Sequence, residues 1–217
     1  MATILMKLSE GTASHQYDRW IGILTFWQNK AMRDYIIKEL LPRGSRVLDV
    51  GCGTGELLIE AGRRGVRGLG IDTNEAMLAI AQEKSKKRNL GRRVEFKLGD
   101  ALSFSFAKSP FDIVVSTLMI SELQEDEVQK FVYATLNHVK SGGTVIIGGE
   151  GEPRGIFFAR IINLIRRVSY WIVGKLTGLR YHPYHKVAAA MRNAGLLLKY
   201  KVRFMGGLLV LYVAEAS

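Results

Sequence analysis

The chain of 217 residues holds one cysteine, Cys52. One thiol builds neither an internal disulfide framework nor a cysteine-ligated zinc site, and the simplest setting for it is a reducing compartment. No apolar run is both long and clean. The richest stretch, from Ile156 to Leu176, is broken by Arg160, Arg166, Arg167 and Lys175, and each charge at the centre of a spanning helix costs about 2.5–3.5 kcal/mol. The first eight residues lack the apolar core of a secretory signal, which with the lone thiol gives the expectation of a cytoplasmic protein. Repeats of 20–50 residues and low-complexity tracts are also absent, which excludes solenoids and arrays. Acids are the scarcer charge, 20 against 31 Lys and Arg, for a net charge of +11. Such an excess suits a nucleic acid, an anionic membrane surface or a basic soluble enzyme. What the chain has in quantity is apolar material, 47% hydrophobic residues. That excludes a mainly disordered protein and is ample for one buried core.

Apolar, β-branched runs alternate with amphipathic ones. Strands are expected at 45–50, 66–71, 94–98, 111–115 and 144–147, and helices at 56–64, 74–87 and 125–139, with Asn74 as an N-cap. The run at 111–115 suits a strand covered on both faces. Ser141-Gly142-Gly143 reads as the stop of the third helix. A helix at 183–193, then a hairpin of 197–204 and 208–213 around Gly206-Gly207, closes the chain. This alternation predicts an α/β fold: a doubly wound, seven-stranded, mostly parallel sheet whose last strand is antiparallel. Two stretches stand outside the rhythm, a leading helical segment and an insertion. The expected organisation is a single domain with an N-terminal helical cap at 1–42, a core at 43–150, a basic amphipathic insertion at 151–182 and a closing helix and hairpin at 183–217.

The chemistry is concentrated at the first turn. Asp49-Val50-Gly51-Cys52-Gly53-Thr54-Gly55 follows a strand and opens a helix, and glycines there permit a tight turn and close approach of a ligand to the backbone. The next strand ends on Asp72, about twenty residues on, the spacing at which a carboxylate reaches a ribose diol. Glycines that only turn the chain are the alternative, disfavoured by the order strand, glycines, helix, strand, acid. The dinucleotide fingerprint G-x-G-x-x-G is not met. Its sixth position is Glu56, and the last glycine falls one place early at Gly55. That weakens a pyrophosphate ligand at the helix N-terminus and favours one that lays an amino-acid moiety beside the backbone.

The run from Val47 to Gly55 resembles the first motif of the S-adenosylmethionine-dependent methyltransferases with a Rossmann-like sheet (class I). The likeness continues through Gly70-Ile71-Asp72, Gly99-Asp100-Ala101, Phe111-Asp112-Ile113-Val114-Val115 and Ser141-Gly142-Gly143. It spans roughly residues 43–150 and the closing hairpin. The resemblance implies S-adenosylmethionine as the cofactor. It implies that Gly51 and Gly53 border its methionine part, with Asp49 and Cys52 in the same set of contacts. Asp72 would bind the ribose hydroxyls, Asp100 and Ala101 beside Gly99 would meet the adenine, and Thr73 and Met77 would flank the adenosine. Ser116 and Thr117 would lie near the methionine part and the acceptor. A carboxylate accepting two hydroxyl protons makes strong, charge-assisted bonds, and Met77 offers a soft face to a purine. Plain helix core for Met77 and a turn role for Asp100 are the alternatives.

Tyr17-Asp18-Arg19-Trp20, followed by Leu24-Thr25-Phe26-Trp27, resembles the opening segment of the ubiquinone/menaquinone-biosynthesis methyltransferases and related phospholipid and small-molecule methyltransferases. In that group it folds over the cofactor and helps close the acceptor pocket, so Tyr17 is a candidate contact; the alternative is aromatic packing on the sheet. Residues 151–186 carry seven basic residues against Glu152 alone, +6 of the +11. On a helical wheel Phe158, Ile161, Ile162, Ile165, Val168, Ile172, Val173 and Leu176 share one face, and Arg160, Asn163, Arg166 and Arg167 the other. The pattern fits a helix lying on an anionic membrane. It also fits a lid that packs its apolar face on the domain and leaves the arginines in water. A nucleic-acid partner is disfavoured, because no binding module is recognisable and the basic residues interleave with aliphatics.

The expected reaction is in-line methyl transfer to a small, lipophilic acceptor, a quinol precursor or a phospholipid head group. The protein's task is to align nucleophile, methyl and sulfur and to exclude water. A base helps only where the acceptor holds a proton of high pKa. His182 and His185 are the candidates, with helix capping or a surface position as the alternative. His138, late in a helix, is expected to face solvent. A soluble acceptor under a packing lid, an NAD-type oxidoreductase and a non-catalytic cofactor-binding protein are the competing readings. No metal-ligand set stands out.

Overall fold

Short β-branched runs that end in glycine call for a sheet covered on both faces, and the computed structural model has that form. Its described residues are 28–104, 110–177 and 186–217, with side chains described at all of these except 28, 156–158, 169–170 and 172–177. The elements are α1 (Gln28–Tyr35), which runs on through a wider helical turn (Ile36–Leu40), β1 (Arg46–Val50), α2 (Glu56–Arg63), β2 (Arg67–Asp72), α3 (Glu75–Lys87) and β3 (Val94–Leu98). There follow β4 (Phe111–Thr117), α4 (Glu125–Leu136), β5 (Val139–Glu150), α5 (Ile156–Thr177), α6 (Val187–Asn193), β6 (Leu197–Phe204) and β7 (Leu209–Glu215).

The seven strands form one sheet in the order β3-β2-β1-β4-β5-β7-β6. β1 pairs in parallel with both β2 and β4, and β7 runs antiparallel to β5 and β6. This is the doubly wound, mostly parallel sheet with a reversed last strand that the alternation predicts. One face buries Val47, Ile113, Val115 and Ile146 against Met32 and Ile36 of the leading helix, Leu58 of α2 and Leu78 of α3. The other buries Leu48, Val50, Val114 and Ile147 against Val128 and Phe131 of α4 and Met191 of α6. Each fully buried aliphatic side chain of this kind contributes about 1.5–3 kcal/mol.

Local chemistry sets the helix starts. The Asn74 side chain accepts from the Met77 N–H at 3.1 Å, the predicted N-cap. α4 opens on a capping box in which the Gln124 N–H donates to Glu127 at 2.7 Å. Two expectations need correction here. α4 stops at Leu136, not 139, and β5 begins at Val139 and runs through Ser141-Gly142-Gly143. Gly142 takes φ +70° and the register with β4 slips at this point, so the glycines form a bulge rather than a helix stop. His138 is buried rather than solvent-facing. Its ring stacks on Phe104 with centroids 4.5 Å apart, and its Nε2 lies 3.2 Å from the Phe104 carbonyl.

Candidate functional site

The chain leaves β1 for β2 and β3 on one side, then returns to β4 on the other. That reversal opens a crevice at the carboxyl ends of β1 and β4, the place where open α/β sheets bind ligands. Three backbone devices shape it. Gly51, Gly53 and Gly55 all lie at positive φ, between 52° and 74°. The Gly51 and Cys52 N–H groups both donate to the Ile71 carbonyl, at 2.9 and 3.0 Å, which folds the turn back over β2. A Cβ on Gly51 would stand 2.7 Å from Met119, and one on Gly55 would stand 2.5 Å from the Phe96 ring, but a Cβ on Gly53 would meet nothing within 4 Å. Gly51 and Gly55 are therefore required by packing, and Gly53 borders open space. Opposite, Leu118 leaves β4 at φ +65° with its N–H on the Gly148 carbonyl at 2.8 Å. A non-glycine residue in this region is strained, and here the next residue, Met119, lies against Gly51 of the glycine turn.

Asp72 ties the site together. One carboxylate oxygen accepts from the Gly53 N–H at 2.8 Å and the other from the Asn74 N–H at 2.9 Å. Each oxygen keeps further acceptor capacity. Its own carbonyl receives the Gly99 N–H at 3.1 Å, which brings the end of β3 alongside. Asp100 is exposed there and makes the turn expected of it, accepting the Leu102 N–H at 2.9 Å. Thr73 is exposed and Met77 is buried at 2% exposure.

Beneath the glycines sits Asp49, 2% exposed, with Oδ1 buried and without a partner. Burial, with the Asp72 charge adding to it, pushes its carboxyl up to about 7. Burial likewise pushes the Cys52 thiol up, with the Asp49 and Asp72 charges reinforcing it. On the neighbouring strand the Ser116 Oγ is also buried and without a partner. Orphaned polar atoms of this kind cost about 1–3 kcal/mol each, and they fit a ligand with polar groups to offer. An ammonium beside Asp49, a diol beside Asp72 and open space over Gly53 suit the amino-acid and ribose parts of S-adenosylmethionine. Burial alone would push the Glu56 carboxyl at the start of α2 up, but the Lys84 ammonium, 2.8 Å away, holds it below the usual carboxylate range.

The structure thus brings Asp49, Gly51, Cys52, Gly53, Asp72, Thr73, Gly99, Asp100, Ala101, Ser116 and Thr117 to one end of the sheet, with Met77 packed just behind. Tyr17, His182 and His185 lie outside the described residues. Two residues escape sequence reasoning. Asn29 Oδ1 and Arg33 Nε, four residues apart on α1, are buried without partners, and the Arg33 charge acts on Glu56 beside the glycine turn. The signal was there as a polar i, i+4 pair on a helix that otherwise turns Met32 and Ile36 inward. Among the described residues no cluster of His, Cys, Asp and Glu is arranged to hold a metal.

Sheet order, switch-point crevice and glycine turn define a nucleoside-cofactor-binding Rossmann-like fold. The model of the methyltransferase domain family matches residues 47–143. The demethylmenaquinone methyltransferase of Staphylococcus haemolyticus is 29% identical over 168 residues, 75% of this chain and 68% of that protein. The enzyme of that name from Staphylococcus aureus is 30% identical over 75% of this chain and 67% of its own length. Among solved structures, an O-methyltransferase family protein from Burkholderia thailandensis superposes with a TM-score of 0.70 at 21% identity, over 87% of this chain and 56% of that one. Magnesium protoporphyrin IX methyltransferase from Synechocystis, solved with bound S-adenosylhomocysteine, gives 0.69 at 16% identity, over 95% and 89%. The chain belongs to the class I S-adenosylmethionine-dependent methyltransferases, in the quinone-biosynthesis group.

Proposed function

We propose that the protein methylates a small lipophilic acceptor, a quinol precursor of the type in the relatives' name, at the crevice between β1 and β4. Such an acceptor resides in a bilayer, so the reading carries with it a peripheral position at the inner membrane face. The bound cofactor supplies an electrophilic methyl group on a sulfonium sulfur. The chain's own part is binding, alignment and exclusion of water. Asp49, charged once an ammonium lies beside it, holds the amino-acid end against the glycine turn. Gly51 and Gly53 allow the backbone to approach, with the Cys52 thiol kept neutral alongside. Asp72 accepts the ribose hydroxyls on the lone pairs its two backbone donors leave free. Gly99, Asp100 and Ala101 border the adenine, and Thr73 lines its approach with Met77 as the packed floor. Ser116 and Thr117 face the methyl donor across the crevice, where a hydroxyl can orient an acceptor oxygen. Tyr17, His182 and His185 remain the candidates for contacting the acceptor and for taking a phenolic proton from it.

The observation that carries this reading is the buried Asp49, its Oδ1 without a partner, under an open glycine turn whose far edge is held by Asp72. The test is turnover with methyl-labelled S-adenosylmethionine on a panel of quinols, phospholipids, and soluble amines and thiols. Label in the quinol fraction is the expected result, and label only in soluble amines or thiols overturns the acceptor assignment. Replacing His182 and His185 with Ala at saturating cofactor separates a proton-transfer role from a surface one, and unchanged turnover removes both from the reaction.

A further inference from the structure

The helix α5 sits the opposite way round from a packing lid. Ala159, Ile162 and Arg166 are half-buried and turn inward. Arg166 is the clamp. Its guanidinium donates to the carbonyls of Gly151 at 2.8 Å and Leu208 at 3.0 Å, and its Nε lies 3.4 Å from the Glu150 carboxylate. A guanidinium that finds three acceptors at the end of β5 and the start of β7 is better placed there than in water. The consequence is that the described apolar face points out. Ile161, Leu164, Ile165, Val168 and Trp171 are 50–66% exposed. At 100° per residue they form a stripe roughly 120° wide. Arg160 and Arg167, both exposed, border it. Met205, also exposed, lies in the β6–β7 turn that the Arg154 N–H ties to the base of α5 through the Gly206 carbonyl, at 2.7 Å.

The segment that carries this face is rich in charge of one sign, although Arg166, Lys186 and Lys199 are each paired with an acid, Glu150, Glu125 and Glu215. Residues 153–214 hold eleven Lys and Arg and no Asp or Glu, so the stretch contains the whole of the chain's +11. A second copy docking through the same face would set like charge against like. An anionic lipid surface offers both things the face lacks, negative charge for the arginines and an apolar layer for the stripe. Among the described residues no helix is long and apolar enough to cross a membrane, so the helix would lie in the interface rather than span it. α5 follows directly from the carboxyl end of β5, which runs parallel to β4 and β1, so the face and the crevice share one end of the sheet.

We infer that α5 and the β6–β7 turn dock this protein on an anionic bilayer, with Ile161, Leu164, Ile165, Val168 and Trp171 in the headgroup layer and Arg160 and Arg167 on lipid phosphates. The inference takes its purpose, though not its geometry, from the proposed lipophilic acceptor. Docking in this orientation opens the crevice toward the layer in which such an acceptor is dissolved.

The test is flotation of the full chain with phosphatidylcholine vesicles containing 30% phosphatidylglycerol, against phosphatidylcholine alone, at low and high salt. At least tenfold tighter binding to the anionic vesicles is expected, weakening as salt rises. L164E/I165E and R160E/R167E should each lose binding at least tenfold. Both pairs are exposed, so S-adenosylmethionine affinity by calorimetry should hold and report an intact fold. Equal binding by wild type and both variants, or no binding by wild type, overturns the inference. So does a wild-type dimer that L164E/I165E dissociates without any vesicle binding. Turnover on a short-chain, water-soluble quinol separates this inference from the acceptor assignment. Loss of turnover on vesicle-embedded quinol alone, in the variants, supports docking. Absence of turnover on either quinol by wild type counts against the acceptor and leaves the flotation result to stand or fall by itself.

Discussion

Replacing Asp49 with Asn makes a sharp prediction, because a buried acid beneath the cofactor turn links stability, pH and binding. Its carboxyl moves from 3.8 up to about 7 on folding, through burial first and the Asp72 charge second. The folded chain therefore holds this proton more tightly than the unfolded one. The folded state is at no disadvantage below the unfolded value, loses stability as pH rises from about 4 to 7, and stays penalised above that. Three units at 1.36 kcal/mol each amount to about 4 kcal/mol. Urea unfolding of wild type and D49N across pH 4.5–8.5 isolates the effect as a difference, since acids with lowered values such as Glu56 and Asp112 contribute equally to both. D49N should gain on wild type with rising pH, by up to about 4 kcal/mol at pH 8, with unchanged denaturant slope. An ammonium settling beside Asp49 should expel its proton. The calorimetric enthalpy of S-adenosylmethionine binding at pH 6 should then vary with the buffer's ionisation enthalpy in wild type and not in D49N, and D49N should bind about 10–100-fold more weakly. A flat difference across the pH range, or a D49N chain less stable than wild type at pH 8, would refute the placement of a desolvated, unpartnered carboxyl here.

Five further substitutions probe the same frame. G53A should cost only the strain of a side chain at positive φ, about 1–2 kcal/mol, yet lower cofactor affinity at least tenfold, because its new methyl enters the open space over the turn; G55A, driven into Phe96 and Ala81, should cost about 3 kcal/mol or more in a thermal melt. K84M should destabilise by about 2 kcal/mol by stranding Glu56. Because Lys84 holds the Glu56 carboxyl low, stability that wild type loses as pH falls through that lowered value should be largely missing from K84M, as urea unfolding between pH 3 and 6 will show. R166M should free α5 from the ends of β5 and β7 and speed proteolytic nicking within it, while R166K, which retains charge but not the fork of donors, should fall between.

What could be read from the sequence was what short-range chemistry dictates. The glycine turn, Asp72 at the end of β2, the Asn74 cap and the reversed last strand each follow from residues close together in the chain. The misses share a different cause. Periodicity locates the two faces of α5 but not which one meets the protein; Glu150, Gly151 and Leu208, drawn from separated segments, decide that by claiming Arg166. The helical pattern extends past His138, but α4 ends at Leu136 and the imidazole stacks on Phe104. Gly142 punctuates a helix or bulges a strand with equal ease, and only pairing with β4 chooses. The strain at Leu118 carries no motif, since it depends on what a distant segment places beside it, and for Asn29 and Arg33 the i, i+4 spacing shows a shared face but not that Oδ1 and Nε are buried without partners.

Methyl transfer to a lipophilic quinol at the β1–β4 crevice can be read in a single turnover of the full chain with a stoichiometric amount of S-adenosylmethionine and a short-chain demethylated quinol, followed by mass spectrometry. The expected products are a quinol heavier by one methylene and an equal yield of S-adenosylhomocysteine, both lost in G53A. An unchanged quinol, with the methyl recovered on a water-soluble acceptor instead, would contradict it.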